Sequence, residues 1–331
     1  MPQWMAMPDD DTTAVNAADT SDRHVDPNKG SGRRSWRDLF AIPPPVKRVF
    51  DKVPLVTYEA NELPARAPRD RGENVLYVFT TNDGARNGRP SFNPSCLRWQ
   101  VRQDEETSGA YLKFHSVPFS TAPSSNHASP SGSLPFLLPA DRSSDSYFKT
   151  QEAVTSSKIK KWIIRQRRKE AATINESEDV RYEAYASLLD NRIRRAWLYQ
   201  LYLNPANAAL LHDLYIAPCS SNPFVQLAIG HHLREAATTE LTKSLASDTI
   251  VEDELMHEAE EAFSALSQLL SENDWFFELD RPSLFDANVF SYTHLLADQG
   301  GLQWRENKLG GLLKQHENLL RHRERVVSMY F

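Results

Sequence analysis

Ser95 and Cys96 are the residues of this chain best placed to handle a thiol. They follow Asn93-Pro94, which reads as a helix start, with Asn93 as N-cap and Pro94 at the first helical position. A helix N-terminus favours a thiolate. Cys96, in the first turn, is therefore a candidate nucleophile, and Ser95 a candidate to activate the thiol of a ligand. Against this, Cys96 has no Cys-x-x-Cys partner, and Leu97 and Trp99 beside it suit a cysteine turned into a core. Ser283 and Asp286 mark another helix start, an S-x-x-D capping box in which hydroxyl and carboxylate each satisfy a backbone N–H. Leu284, Phe285, Val289 and Tyr292 follow it at helical spacing.

Other chemistry is sparse. His231-His232 and His257-Glu258 are the most metal-like pairs. Neither makes H-E-x-x-H, no cysteine lies near, and adjacent histidines on a helix point apart, so no metal is expected. Gly84 and Gly88 form no phosphate-binding pattern, no Ser-His-Asp order is recognisable, and no cofactor is expected. Two cysteines, Cys96 and Cys219, exclude a disulfide framework and fit a reducing compartment. The net charge of −6 gives no global field for nucleic acid. No apolar run approaches the ~20 residues of a membrane span. Lys158 to Lys169 is a basic stretch interleaved with Ile159, Trp162 and Ile163. It reads either as a helix with a solvated face or as an amphipathic surface for anionic headgroups.

At 331 residues the chain has room for two cores. Residues 1–35 are acidic and polar, with too little apolar surface to offset the entropy of ordering, and read as a disordered tail without a secretory or basic targeting pattern. Residues 36–70 are apolar but rich in proline: Leu39, Phe40, Ile42, Val46, Phe50, Leu55, Val56 and Tyr58 lie among Pro43, Pro44, Pro45, Pro54 and Pro64. Such a segment must lie against its own domain or dock on another subunit. In residues 71–172, strands are expected at 75–79 (covered on both faces), 111–117 and 134–138. Polar loops are expected at 80–90 and 118–133, and helices from Asn93 and over Val154–Arg168, with a fourth strand not discernible. Residues 173–331 read as helical. Tyr185, Leu189, Ile193, Ala196 and Trp197 share one face, and Leu255, Ala259, Ala262, Phe263, Leu266 and Leu270 form a stripe. A final helix carries Leu312, Leu313, Leu319, Leu320, Val326 and Val327.

This order, with Leu134-Pro135-Phe136-Leu137 and the capped Ser283 helix, resembles the glutathione-transferase architecture: an α+β, mostly α fold with an N-terminal thioredoxin-like domain and a C-terminal helical domain. In such folds the position of Pro135 usually carries a cis-proline beside the thiol site. A Glu or Gln followed by Ser at a helix N-terminus holds the γ-glutamyl group of glutathione; here the nearest match, Gln151-Glu152-Ala153-Val154, lacks the Ser.

Three stretches together resemble one family, the metaxins and their fungal relatives: Asn93 to Gln100, Asp274-Trp275-Phe276-Phe277 leading through Asp280 to Ala287, and Ala41 to Tyr58. The last is similar to the N-terminal segment of the smaller fungal subunit. The resemblance implies a non-enzymatic peripheral subunit on the cytosolic face of the mitochondrial outer membrane, within the sorting and assembly machinery (SAM complex). The implied partners are its β-barrel core subunit, a second metaxin-like subunit and β-barrel precursors bearing the β-signal. Leu39–Tyr58 would make the partner contact, and Ser95 and Cys96 would be vestiges of a thiol site. The competing expectation is a glutathione-dependent transferase or thiol reductase of the same fold.

Overall fold

The structure, a computed structural model, describes residues 73–101, 119–140, 153–168, 179–245, 249–297 and 302–331, all within one compact unit. The segment 36–64, with its eight proposed contact residues, and the strand expected at 111–117 lie outside the described residues.

A four-stranded sheet is built from β1 (Asn74–Val78), β2 (Phe119–Pro123), β3 (Phe136–Leu138) and β4 (Val154–Thr155), in the order β2-β1-β3-β4. β1 runs parallel to β2 and antiparallel to β3, and β3 pairs antiparallel with β4. That is the mixed order of a thioredoxin-like sheet. Leu76 and Val78 are buried, whereas Val75 and Tyr77 on the other face are only half-buried, so β1 alternates rather than being covered on both faces. Tyr77 pairs with Phe136 across the strands, their rings stacked at 4.5 Å.

Three local expectations are corrected. β2 lies inside the stretch 118–133 read as loop; its Ser, Thr and Pro suit an edge strand, where a missing N–H costs no ladder bond. The polar stretch 80–90 contains a short helix, α1 (Asn82–Arg86), capped by the Thr81 hydroxyl, which accepts from Gly84 N–H at 2.9 Å. Val154 and Thr155 belong to β4, so the basic helix α3 (Ser156–Arg168) starts two residues later than expected.

Helix α2 (Pro94–Gln100) connects β1 to β2 and starts as its sequence predicts, the Asn93 side-chain Oδ1 accepting from Cys96 N–H at 3.3 Å. Cys96 and Trp99 face the sheet core with Ile159 and Ile163 of α3. Leu97 turns the other way, into the helical core.

That second core is held by the helical run 181–203 (α4), the run 208–216 (α5), α6 (Pro223–Leu245), α7 (Glu252–Leu270), α8 (Leu284–Leu296), α9 (Lys308–Leu313) and α10 (Glu317–Tyr330). α4 and α5 contain π-helical turns at Leu188–Ile193, Tyr199–Leu203 and His212–Ile216. The α7 stripe is fully buried, as its spacing requires. The single final helix expected from the leucines is two helices. The chain bends at Lys314–His316, so Leu313 caps one element and Leu319 opens the next.

Candidate functional site

The thiol site expected at the N-terminus of α2 is filled by the protein itself. Cys96 is completely buried, and burial pushes its thiol up to about 12, against weaker opposing contributions from a Phe79 backbone hydrogen bond, the Ser91 hydroxyl and the Arg98 charge. A thiol so shifted is neutral across the physiological range, and complete burial places Cys96 in the core. The loop before α2 is tied to the sheet: Ser91 Oγ donates to Phe79 O at 2.6 Å, and Ser91 N–H donates to Gln100 Oε1 at 2.6 Å.

A residue of the helical half closes the mouth. Tyr215, at the end of α5 and 4% exposed, donates from its hydroxyl to Phe92 O at 3.3 Å and accepts from Asn93 Nδ2 at 3.2 Å. Its ring meets those of Phe79 and Phe92 edge-on, at 4.9 and 5.3 Å. Burial raises the Tyr215 hydroxyl well above the ordinary tyrosine range, so it stays a neutral donor. Ser95 is half-buried on the same turn. The N-cap side chain and the aromatic ring above it thus occupy the approach to the positive end of this helix.

Leu134-Pro135 is a cis peptide. Leu134 N–H donates to Asn126 Oδ1 at 3.1 Å, and Pro135 and Phe136 are buried. The position corresponding to the γ-glutamyl clasp shifts with the start of α3. It falls at Thr155-Ser156-Ser157, not at Gln151 to Val154, so a Ser is present but no Glu or Gln precedes it. The Thr155 and Ser157 hydroxyls lie 3.4 Å apart.

The second helix start is a structural hub. The Ser283–Asp286 capping box forms. Asp286 Oδ2 accepts from Ser283 N–H at 2.6 Å and from Ser283 Oγ at 2.7 Å. Asp286 Oδ1 accepts from Phe276 N–H at 3.1 Å and lies 3.0 Å from His322 Nε2 on α10. All this is buried, with the His322 ring between Trp275 and Phe276. Phe277, with φ +59°, packs on Phe285 and Tyr182. The Asp274–Phe277 stretch is therefore the strap that α8 and α10 hold together.

Sequence reasoning missed a buried polar hub around Asn207. Its Nδ2 donates to Gln200 O and Glu306 O, both at 2.9 Å, and its Oδ1 accepts from Arg305 N–H and Glu306 N–H. The available signal was Asn204-Pro205-Ala206-Asn207, two asparagines beside a helix break. Of the metal-like residues, His231, His232 and Glu235 cluster on the exposed surface of α6, and His257 is exposed on α7.

Against known proteins, residues 40–107 match the SAM35 family model (SAM35, subunit of SAM complex). Residues 94–207 match that of the glutathione S-transferase N-terminal domain, and residues 259–326 that of its C-terminal domain. The metaxin resemblance is borne out. This chain matches no curated protein. Among solved structures, a glutathione S-transferase III in apo form is 15% identical with a TM-score of 0.38, over 77% of this chain and 91% of that one. The β-etherase LigF from Sphingobium sp. strain SYK-6 is 14% identical with a TM-score of 0.40, over 77% and 98%. Glutathione transferase F7 from Populus trichocarpa is 14% identical with a TM-score of 0.31, over 77% and 93%. At these TM-scores the fold assignment rests on the family matches and on the chain's own strand order.

Proposed function

We propose that this chain is a non-enzymatic peripheral subunit of the SAM complex, on the cytosolic face of the mitochondrial outer membrane, where it assists reception of the β-signal and assembly of β-barrel precursors. The observation that carries the reading is the SAM35 match over 40–107, which begins in the Pro-rich apolar segment and runs through the α2 start. The closed thiol site supports it: Cys96 is buried and Tyr215 seals the helix end at which a thiol ligand would bind. Among the described residues no helix is long and apolar enough to cross a membrane, which fits a subunit held by partners.

The physical task is to let a precursor add strands to a template without exposing unpaired edges. A body docked beside the barrel through Leu39, Phe40, Ile42, Val46, Phe50, Leu55, Val56 and Tyr58 favours the barrel state that accepts the incoming strand. Its partners are then the β-barrel core subunit, a second metaxin-like subunit and the precursor. Deletion of residues 36–64 is expected to release the chain from the complex on affinity purification from mitochondria. Undiminished co-purification would overturn the docking assignment. The rival reading, a glutathione-dependent transferase or thiol reductase using Ser95 or Cys96, requires turnover that falls in Ser95→Ala or Cys96→Ala.

A further inference from the structure

Residues 153–168 hold six Lys or Arg and no Asp or Glu, in a chain whose net charge is −6. Helix α3 fixes how that charge is presented. Ile159 and Ile163 are 2% and 7% exposed, packed on Leu76 and Leu137 of the sheet, so the helix cannot roll. Lys158, Lys161 and Arg165 stand at i, i+3 and i+7, a single exposed stripe roughly 10 Å long. Among the described residues none of the three has an acidic partner. Arg192, Arg194, Arg195, Lys308 and Arg325 of the helical half each have one. Trp162 is half-buried at the border between the stripe and the core-facing side.

We propose that this stripe is a binding surface for the anionic headgroup layer of a membrane. A straight row of cations with no acidic partner among the described residues complements a plane of negative charge. Two of the three are lysines, compact point charges that suit a fluid, non-directional array of phosphates better than the fork geometry needed to pair one carboxylate. Trp162, with one edge apolar and one polar, suits the boundary of such a layer. The apolar face of α3 is committed to the sheet, so the helix adsorbs by charge and does not insert. This goes beyond the role proposed above and does not require it, because the contact belongs to the isolated chain.

The test is flotation of the purified full-length chain with vesicles of neutral phospholipid, and with vesicles in which about a third of the lipid is anionic. The wild type is expected to bind the anionic vesicles and not the neutral ones, with binding lost at high salt. The variant K158Q/K161Q/R165Q should bind about a hundredfold more weakly, since each near-surface cation contributes roughly fivefold. The variant R192Q/R321Q/R325Q, with the same change in net charge elsewhere, should bind nearly as wild type. No binding of the wild type to anionic vesicles, equal weakening in both variants, or capture by an acidic polypeptide in place of vesicles would each overturn the proposal.

Discussion

Two helix N-termini, at Asn93 and at Ser283, start with the same chemistry and end with opposite roles. Each is capped by a side chain that its sequence announces. The Ser283 start is wired from within: four groups converge on one Asp286 carboxylate, and three segments of the helical half meet there. The Asn93 start is closed from outside, by Tyr215 arriving from more than a hundred residues away. At the Asn93 start, a tyrosine of the helical half lies against the N-cap and the residue before it. The capping box ties three segments of the helical half together, and the Asn93 start is covered by a residue of that half.

The largest effect should come from breaking the wired start. Asp286→Ala leaves the Phe276 N–H and the His322 ring without their buried acceptor and removes the box, at an expected cost of about 4 kcal/mol in chemical denaturation. A cost below about 1 kcal/mol would show that the hub is redundant. A smaller effect is expected at the closed start. Tyr215→Phe keeps the ring that seals the mouth and deletes only the hydroxyl bonds to Phe92 and Asn93, costing about 1 kcal/mol by the same measurement. If the two substitutions cost the same, the distinction between the starts fails.

What the sequence showed and what it hid divide along the range of the interactions. The Asn93 and Ser283 caps span three residues, and the Leu255–Leu270 stripe repeats within one helix, so local spacing suffices to read them. β2 was hidden because Phe119-Ser-Thr-Ala-Pro123 carries no hydrophobic alternation. It is a strand only because β1 supplies a partner in register from Asn74 to Val78. β4 was hidden because two residues are too few to show any period. The sealing of the thiol site by Tyr215 and the Asn207 hub depend on pairs separated by about a hundred residues, which no window along the chain can join. Cys96 was legible as ambiguous, core or nucleophile, and its complete burial decides for core.

The claim that this scaffold has traded its ligand pocket for a docking role is tested most directly by calorimetric titration of the full-length chain with reduced glutathione, beside an active transferase of the same fold. The account predicts no saturable heat in this chain up to millimolar ligand, a free-energy bound of roughly −4 kcal/mol. Saturable binding that is abolished by Ser95→Ala would contradict it.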